Sequence, residues 1–164
     1  MQDSFLKTND RLINLQNVSN INILRGEKRN RIIFNMNYNI EIYPGKHISD
    51  YVYWDAIDDQ DLIYNIKHLQ FNEYLQKNFI DQPDGKGYIN VNEISSIKFA
   101  EKKNRVIFNL SHPVSFNNHK KDKYQIEQDR DVLKLTSEFV YVNCTSFDKY
   151  KKYVEYVQQE LGDN

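Results

Sequence analysis

Two short basic runs carry the strongest chemical pattern in this chain. Arg25, Lys28, Arg29 and Arg31 fall in one predicted hairpin, and Lys98, Lys102, Lys103 and Arg105 fall in another. A third cationic group, Lys120 and Lys121 with His119 and Lys123, lies in the stretch 117–138. Clustered Lys and Arg attract phosphates, and aromatic side chains beside them stack on bases. Tyr51 and Tyr53, or Phe139 and Tyr141, could supply the stacking, and Asn35, Asn37, Asn39 and Asn109 the polar contacts on the same sheet face. The competing reading is plain: basic hairpin tips keep a protein soluble and guard sheet edges.

Other residue types give weaker leads. His47, His68, His112 and His119 lack a Cys, His or carboxylate partner at metal-ligand spacing, so no metal is expected. His112 falls on an apolar strand phase and reads as a packing residue. The single cysteine, Cys144, shows no base or electropositive neighbour in sequence, and reads as a small core residue rather than a nucleophile. Asp55, Asp58, Asp59 and Asp61 lack the alternate spacing and central glycine of a calcium loop; helix capping explains them. The PDGKG at 83–87 has no Ser or Thr after its lysine and no helix behind it, so it reads as a hairpin turn, not a phosphate cradle. A non-catalytic chain without cofactor is the expectation.

The bulk numbers narrow the class. With 40% hydrophobic and 13% aromatic residues among 164, there is enough apolar side chain for a core, against wholesale disorder. Net charge is -1, which disfavours a protein that coats duplex DNA unless charge is segregated by face. One cysteine precludes an intrachain disulfide, and the opening residues show no basic segment leading into a long apolar run. A reducing, cytoplasmic setting and no membrane span are therefore expected.

The elements that must position the basic runs recur. LINLQNVSNINI at 12–23 matches YINVNEISSIKF at 88–99, RNRIIFNM at 29–36 matches KNRVIFNL at 103–110, and DYVYWDAI at 50–57 matches EFVYVNCT at 138–145. Ile32, Phe34, Met36, Tyr38, Ile40 and Ile42 alternate with mostly polar neighbours, and Val106 to Phe116 repeats the phase. Such alternation marks half-buried antiparallel strands. Asn17 and Ser19 read as turn formers in an earlier hairpin. Helices follow each last strand. Asp58 caps the first, with Leu62, Ile63, Ile66 and Leu69 as its stripe. Thr145 or Ser146 caps the second, Thr145 with Asp148 as a capping box, and Tyr150, Val154, Val157 and Leu161 form the stripe.

The expected fold is α+β: a tandem duplication of an antiparallel β-meander of four to five strands followed by one α-helix, the two copies packed into one body. Residues 1–78 form the first repeat and 79–164 the second, which carries a longer loop at 117–138. Strands then a helix, twice, is similar to the layout of the Whirly single-stranded DNA-binding proteins; that resemblance implies two units facing each other across a binding surface. PH-like modules also end a meander with a helix, which would imply an adaptor or an inhibitor of a larger enzyme, encoded by a phage or mobile element. The functional expectation is a non-catalytic binding protein for single-stranded nucleic acid, with a protein partner as the alternative and a homo-oligomer compatible with either.

Overall fold

Alternation of apolar and polar residues builds the centre of the molecule. In a computed structural model, residues 4–27, 29–116 and 134–162 are described, with the backbone alone at 41–42, 47–49, 112–116 and 134–137. The first half runs β1 (Phe5–Lys7), β2 (Leu12–Asn14), a 3-10 turn at Leu15–Asn17, β3 (Val18–Arg25), β4 (Asn30–Tyr43), β5 (Lys46–Ala56) and α1 (Asp59–Gln70). A short α2 (Glu73–Asn78) leads on. The second half runs β6 (Phe79–Asp81), β7 (Gly87–Asn90), a 3-10 turn at Val91–Glu93, β8 (Ile94–Ala100), β9 (Arg105–Phe116), β10 (Lys134–Asn143) and α3 (Phe147–Leu161). The fold is α+β, and its sheets are antiparallel apart from one short contact.

Eight strands form one sheet in the order β10-β9-β4-β3-β7-β6, with β5 also on β4 and β8 also on β9; β1 and β2 pair separately. Among the described residues two strand pairings join the halves. Asn20–Asn22 of β3 pair antiparallel with Gly87–Ile89 of β7, and Asn39–Glu41 of β4 pair parallel with Val114–Phe116 of β9. That parallel contact is invisible to a reading by periodicity, because it joins strands far apart in sequence.

Two apolar cores result. The first gathers Ile21, Ile32, Phe34, Trp54 and the buried side of α1; the second gathers Val106, Phe108, Leu110, Val142 and the buried side of α3. Phe34 and Phe108 are fully buried, a transfer worth about 1.5–3 kcal/mol each. The β6–β7 hairpin feeds both: Phe79 and Tyr88 pack into the first core, Ile80 and Ile89 into the second. Alternate side chains leaving a strand on opposite faces explain the sharing. Tyr153 and Tyr156 of α3 tie the helix to this hairpin, Tyr153 Oη donating to the Asp81 carbonyl at 2.9 Å and Tyr156 Oη accepting from the Asp81 N–H at 2.9 Å. Burial pushes both phenols up, so they stay neutral and fit for these bonds.

Several local expectations change. The turn before β3 is capped by Asn14, whose Oδ1 accepts from the Gln16 N–H at 3.1 Å, while Ser19 lies inside β3. Ser146, not Thr145, caps α3, accepting from the Lys149 N–H at 3.2 Å. Ile63 is half exposed, because α1 turns Leu62, Asn65, Ile66 and Leu69 to the core and leaves Ile63 beyond its edge. Asn35 and Asn39 are buried despite their polar phase, the first beneath the concavity described below and the second where β4 is flanked by β5 and β9. The stretch called a loop at 117–138 is shorter at its end, since β10 begins at Lys134 and pairs with Val114.

Asn90 is a test of this seam. Its Nδ2 donates to the Val18 carbonyl at 2.8 Å across the junction, and its Oδ1 caps the 3-10 turn through the Asn92 N–H at 3.0 Å. Removing both strips the buried Val18 carbonyl of this bond and the 3-10 turn of its cap. Asn90→Ala is expected to cost about 1–3 kcal/mol in urea unfolding; an unchanged midpoint would show that water replaces both bonds without penalty.

Candidate functional site

Strand register decides which side chains share a face. Tyr53 stands opposite Ile33 and Tyr51 opposite Asn35, and Ile33 is opposite Asn22 on β3. These point away from the first core, whose cross-strand pair is Ile32 with Trp54. On the other half Tyr141 stands opposite Ile107 and Phe139 opposite Asn109, with Lys98 opposite Ile107. Lys98 and Tyr141 therefore share the face turned away from the second core.

The two outer faces border one open concavity of about 630 Å³. Asn20, Asn22, Ile33 and Asn35 line one side with Tyr51 and Tyr53; Glu138 to Tyr141 of β10 line the other, with Gln82 beside them. Tyr51, Tyr53, Phe139 and Tyr141 are each about half exposed. Within each pair the rings lie nearly parallel, centroids 6.3 Å apart for Tyr51 and Tyr53 and 6.4 Å for Phe139 and Tyr141. Four exposed aromatic rings in one concavity are an unusual cost to solubility unless they meet a partner.

An arginine braces each pair. The Arg31 guanidinium lies 4.3 Å from the Tyr53 ring centroid, and its Nε donates to Asp55 at 2.8 Å. Arg105 lies 5.0 Å from the Tyr141 centroid, and its Nε donates to Asn143 at 2.6 Å. Such stacking orients the ring and offers a cation beside it. The partners differ in charge: Asp55 neutralises Arg31, whereas Asn143 is a neutral amide, so the Arg105 pair keeps a net positive charge. At the base of β5's aromatic segment, Asp50 accepts from the Tyr51 N–H at 3.1 Å and from Tyr38 Oη at 2.5 Å. The bond to Asp50, then burial and the Asp50 charge, pushes the Tyr38 phenol up to about 12. The Gln82 side chain is buried, and its Nε2 has no hydrogen-bond partner among the described residues, leaving a donor on the concavity wall.

The predicted basic residues divide into four groups. Arg31 and Arg105 sit at matching places beside the rings. Arg29, Lys102 and Lys103 lie exposed at strand turns, and Lys98 lies exposed on the outer face of β8. Arg25 donates to the Gly85 carbonyl at 3.1 Å, which helps hold the halves together. Lys28, Lys120 and Lys121, and with them His119 and Lys123, lie outside the described residues, as do the side chains of His47 and His112. His68 Nε2 is 3.0 Å from the Lys7 carbonyl and its ring sits edge-on to Trp54. Cys144 is half-buried among the second core's residues, and burial, as the largest cause, pushes its thiol up, which disfavours the thiolate. Among the described residues no three His, Cys, Asp or Glu side chains come together to hold a metal ion, and no helix is long and apolar enough to cross a membrane. The PDGKG stretch forms the turn between β6 and β7, with Asp84 and Gly85 at positive φ.

Reading by sequence missed Gln82, Asn20, Asn22 and the two brace partners. Asp55 and Asn143 were legible, since they occupy the same column of the matched strings at 50–57 and 138–145. Gln82 carries no such signal. Compared with protein-family models, curated proteins and solved structures, the chain matches none.

Proposed function

We propose that this chain is a non-catalytic binding protein that takes single-stranded nucleic acid in the concavity between β5 and β10. The observation that carries the reading is the pair of aromatic platforms, each braced by an arginine, lining one open concavity. Stacking between Tyr or Phe and a base is sequence-tolerant, and open cleft walls admit a strand whose bases are unpaired. Asn20, Asn22 and Gln82 would meet base edges, while Lys98, Arg29, Lys102 and Lys103 would meet phosphates.

We also propose that the two halves, 1–78 and 79–164, are copies of one meander-and-helix unit. Side-chain details support it. Asn14 and Asn90 cap equivalent 3-10 turns. Ser19 and Ser95 donate to the carbonyls of Asn35 and Asn109 at 3.1 and 2.9 Å, each at a break in strand register. The aromatic platforms would then be one device used twice, as facing units imply in the Whirly-like layout. A half-buried lone thiol fits a reducing, cytoplasmic setting.

The test is a fluorescence-anisotropy titration with labelled single-stranded and duplex oligonucleotides at two salt concentrations. Salt-sensitive binding, tighter for the single strand, is expected. Replacing Arg29 and Lys103 together by Ala should weaken it and lower the slope of log K against log salt by about 1–2. No binding at low salt, where electrostatic attraction is least screened, would discard the reading in favour of a protein partner.

A further inference from the structure

Helix α1 exposes an apolar stripe that folding does not use. Ile57, just before its cap, is 96% exposed, Tyr64 69% and Phe71 78%, and Ile63 is half exposed. α3 supplies an internal control, because both helices can be counted from their caps, Asp58 and Ser146. At the positions of Ile57, Ile63, Tyr64 and Phe71, α3 has Thr145, Lys151, Lys152 and Gln159. A helix in the same setting is thus well served by polar residues there, and the apolar set on α1 calls for a partner.

The stripe is self-complementary. Gln60, Ile63 with Tyr64, and Lys67 run along the outer face of α1, flanked by Ile57 before the cap and Phe71 at the C-cap, an order near-symmetric about its centre. Antiparallel pairing of two such helices sets Ile57 of one copy against Phe71 of the other, Gln60 against Lys67, and the central residues against each other. Beside Phe71 lies a groove of about 350 Å³ walled by Phe5, Lys7 and His68, into which a partner's projecting Ile57 would fit. Charge agrees: the first turn of α1 carries Asp59 and Asp61, and its last turn Lys67 and His68, so antiparallel copies bring Lys67 toward acids and oppose their helix dipoles. We infer that the outer face of α1 binds a second copy of this chain as a twofold antiparallel dimer. The four apolar side chains of the stripe and Phe5 on the groove wall, at about 100 Å² each, give roughly 1,000 Å² over both copies, near the lower bound for a specific interface. The dimer is accordingly weak and reversible. It is independent of the proposed cleft, which lies on the opposite face of the β3–β5 strands, and leaves that cleft open.

Sedimentation velocity of the full chain between about 1 and 300 μM measures it. A monomer–dimer equilibrium in the micromolar range is expected. Ile63→Lys with Tyr64→Lys, which installs what α3 carries at those positions, should weaken dimerisation at least about 10-fold with an unchanged circular dichroism spectrum. Lys67→Glu, which alters charge and little apolar area, should weaken it several-fold if the helices run antiparallel. A chain that stays monomeric at the highest concentration, or a dimer indifferent to either variant, overturns the inference.

Discussion

Replacing Tyr53 and Tyr141 together by Ala is expected to weaken single-stranded oligonucleotide binding by on the order of 100-fold or more, with a melting temperature lower by only a few degrees. One base stacked on one ring is worth about 1–3 kcal/mol, or roughly a factor of ten to a hundred. The two rings belong to separate platforms across the cleft, so their losses should come close to adding. Stability should hold because both rings are about half exposed and lie outside either core; the forfeited arginine stacking is worth about 0.5–1 kcal/mol each. Anisotropy titration and thermal unfolding on the same preparations read both quantities. Wild-type affinity in the double variant would remove the cleft from the account, even if the exposed lysines still attracted DNA.

The second large effect concerns the junction. Gly87 opens β7 at φ +151°, and a Cβ built there would stand 1.8 Å from the Ile21 carbonyl oxygen and 2.9 Å from its carbon. Both are backbone atoms of β3, held by pairing with β7, so neither can rotate aside. Gly87→Ala is expected to lose about 3 kcal/mol or more through strain and overpacking. Because the β6–β7 hairpin serves both cores, the two halves should lose stability together. Urea unfolding followed by Trp54 fluorescence, a reporter buried in the first core, and by far-ultraviolet circular dichroism should give coincident, shifted transitions. Gly45→Ala is the control: φ is +86° there too, but no atom lies within 4 Å of the added carbon, so only the turn's backbone preference is lost, about 1 kcal/mol. Equal costs at both positions would show that φ, not the approach of β3, sets the effect.

Local chemistry is legible in the chain itself. Phe34 and Phe108 were placed inward by period-two alternation alone, because a strand has two faces and water accepts only one of them. Asp58 was recognised as a cap from its place before an apolar stripe, and its side chain does accept from the Asp61 N–H at 2.8 Å. Ile63 was misassigned by one helical position, since a stripe read from sequence is wider than the line of contact that a sheet makes with a helix. Asn14 and Asn90 fall in the matched strings at 12–23 and 88–99, and each is both the last residue of its strand and the cap of the 3-10 turn that follows, because an Asn next to a turn suits either role.

What the amino-acid sequence determined by itself, then, was the main strands and the two long helices, though not the short α2, the inward rows of the long strands, and the recurrence of the aromatic and basic residues. These depend on near neighbours, whose spacing is written in the chain. Only the tertiary structure decided that Tyr51, Tyr53, Phe139 and Tyr141 line one concavity, that β4 and β9 meet in parallel, and that Arg25 holds a junction while Arg31 and Arg105 brace rings. The concavity, the parallel contact and the Arg25 junction join residues about 60 to 90 positions apart, and the braces join strands whose partners lie 24 and 38 positions apart. Long-range closure of that kind is settled by packing two cores on one shared hairpin, and no local period encodes it.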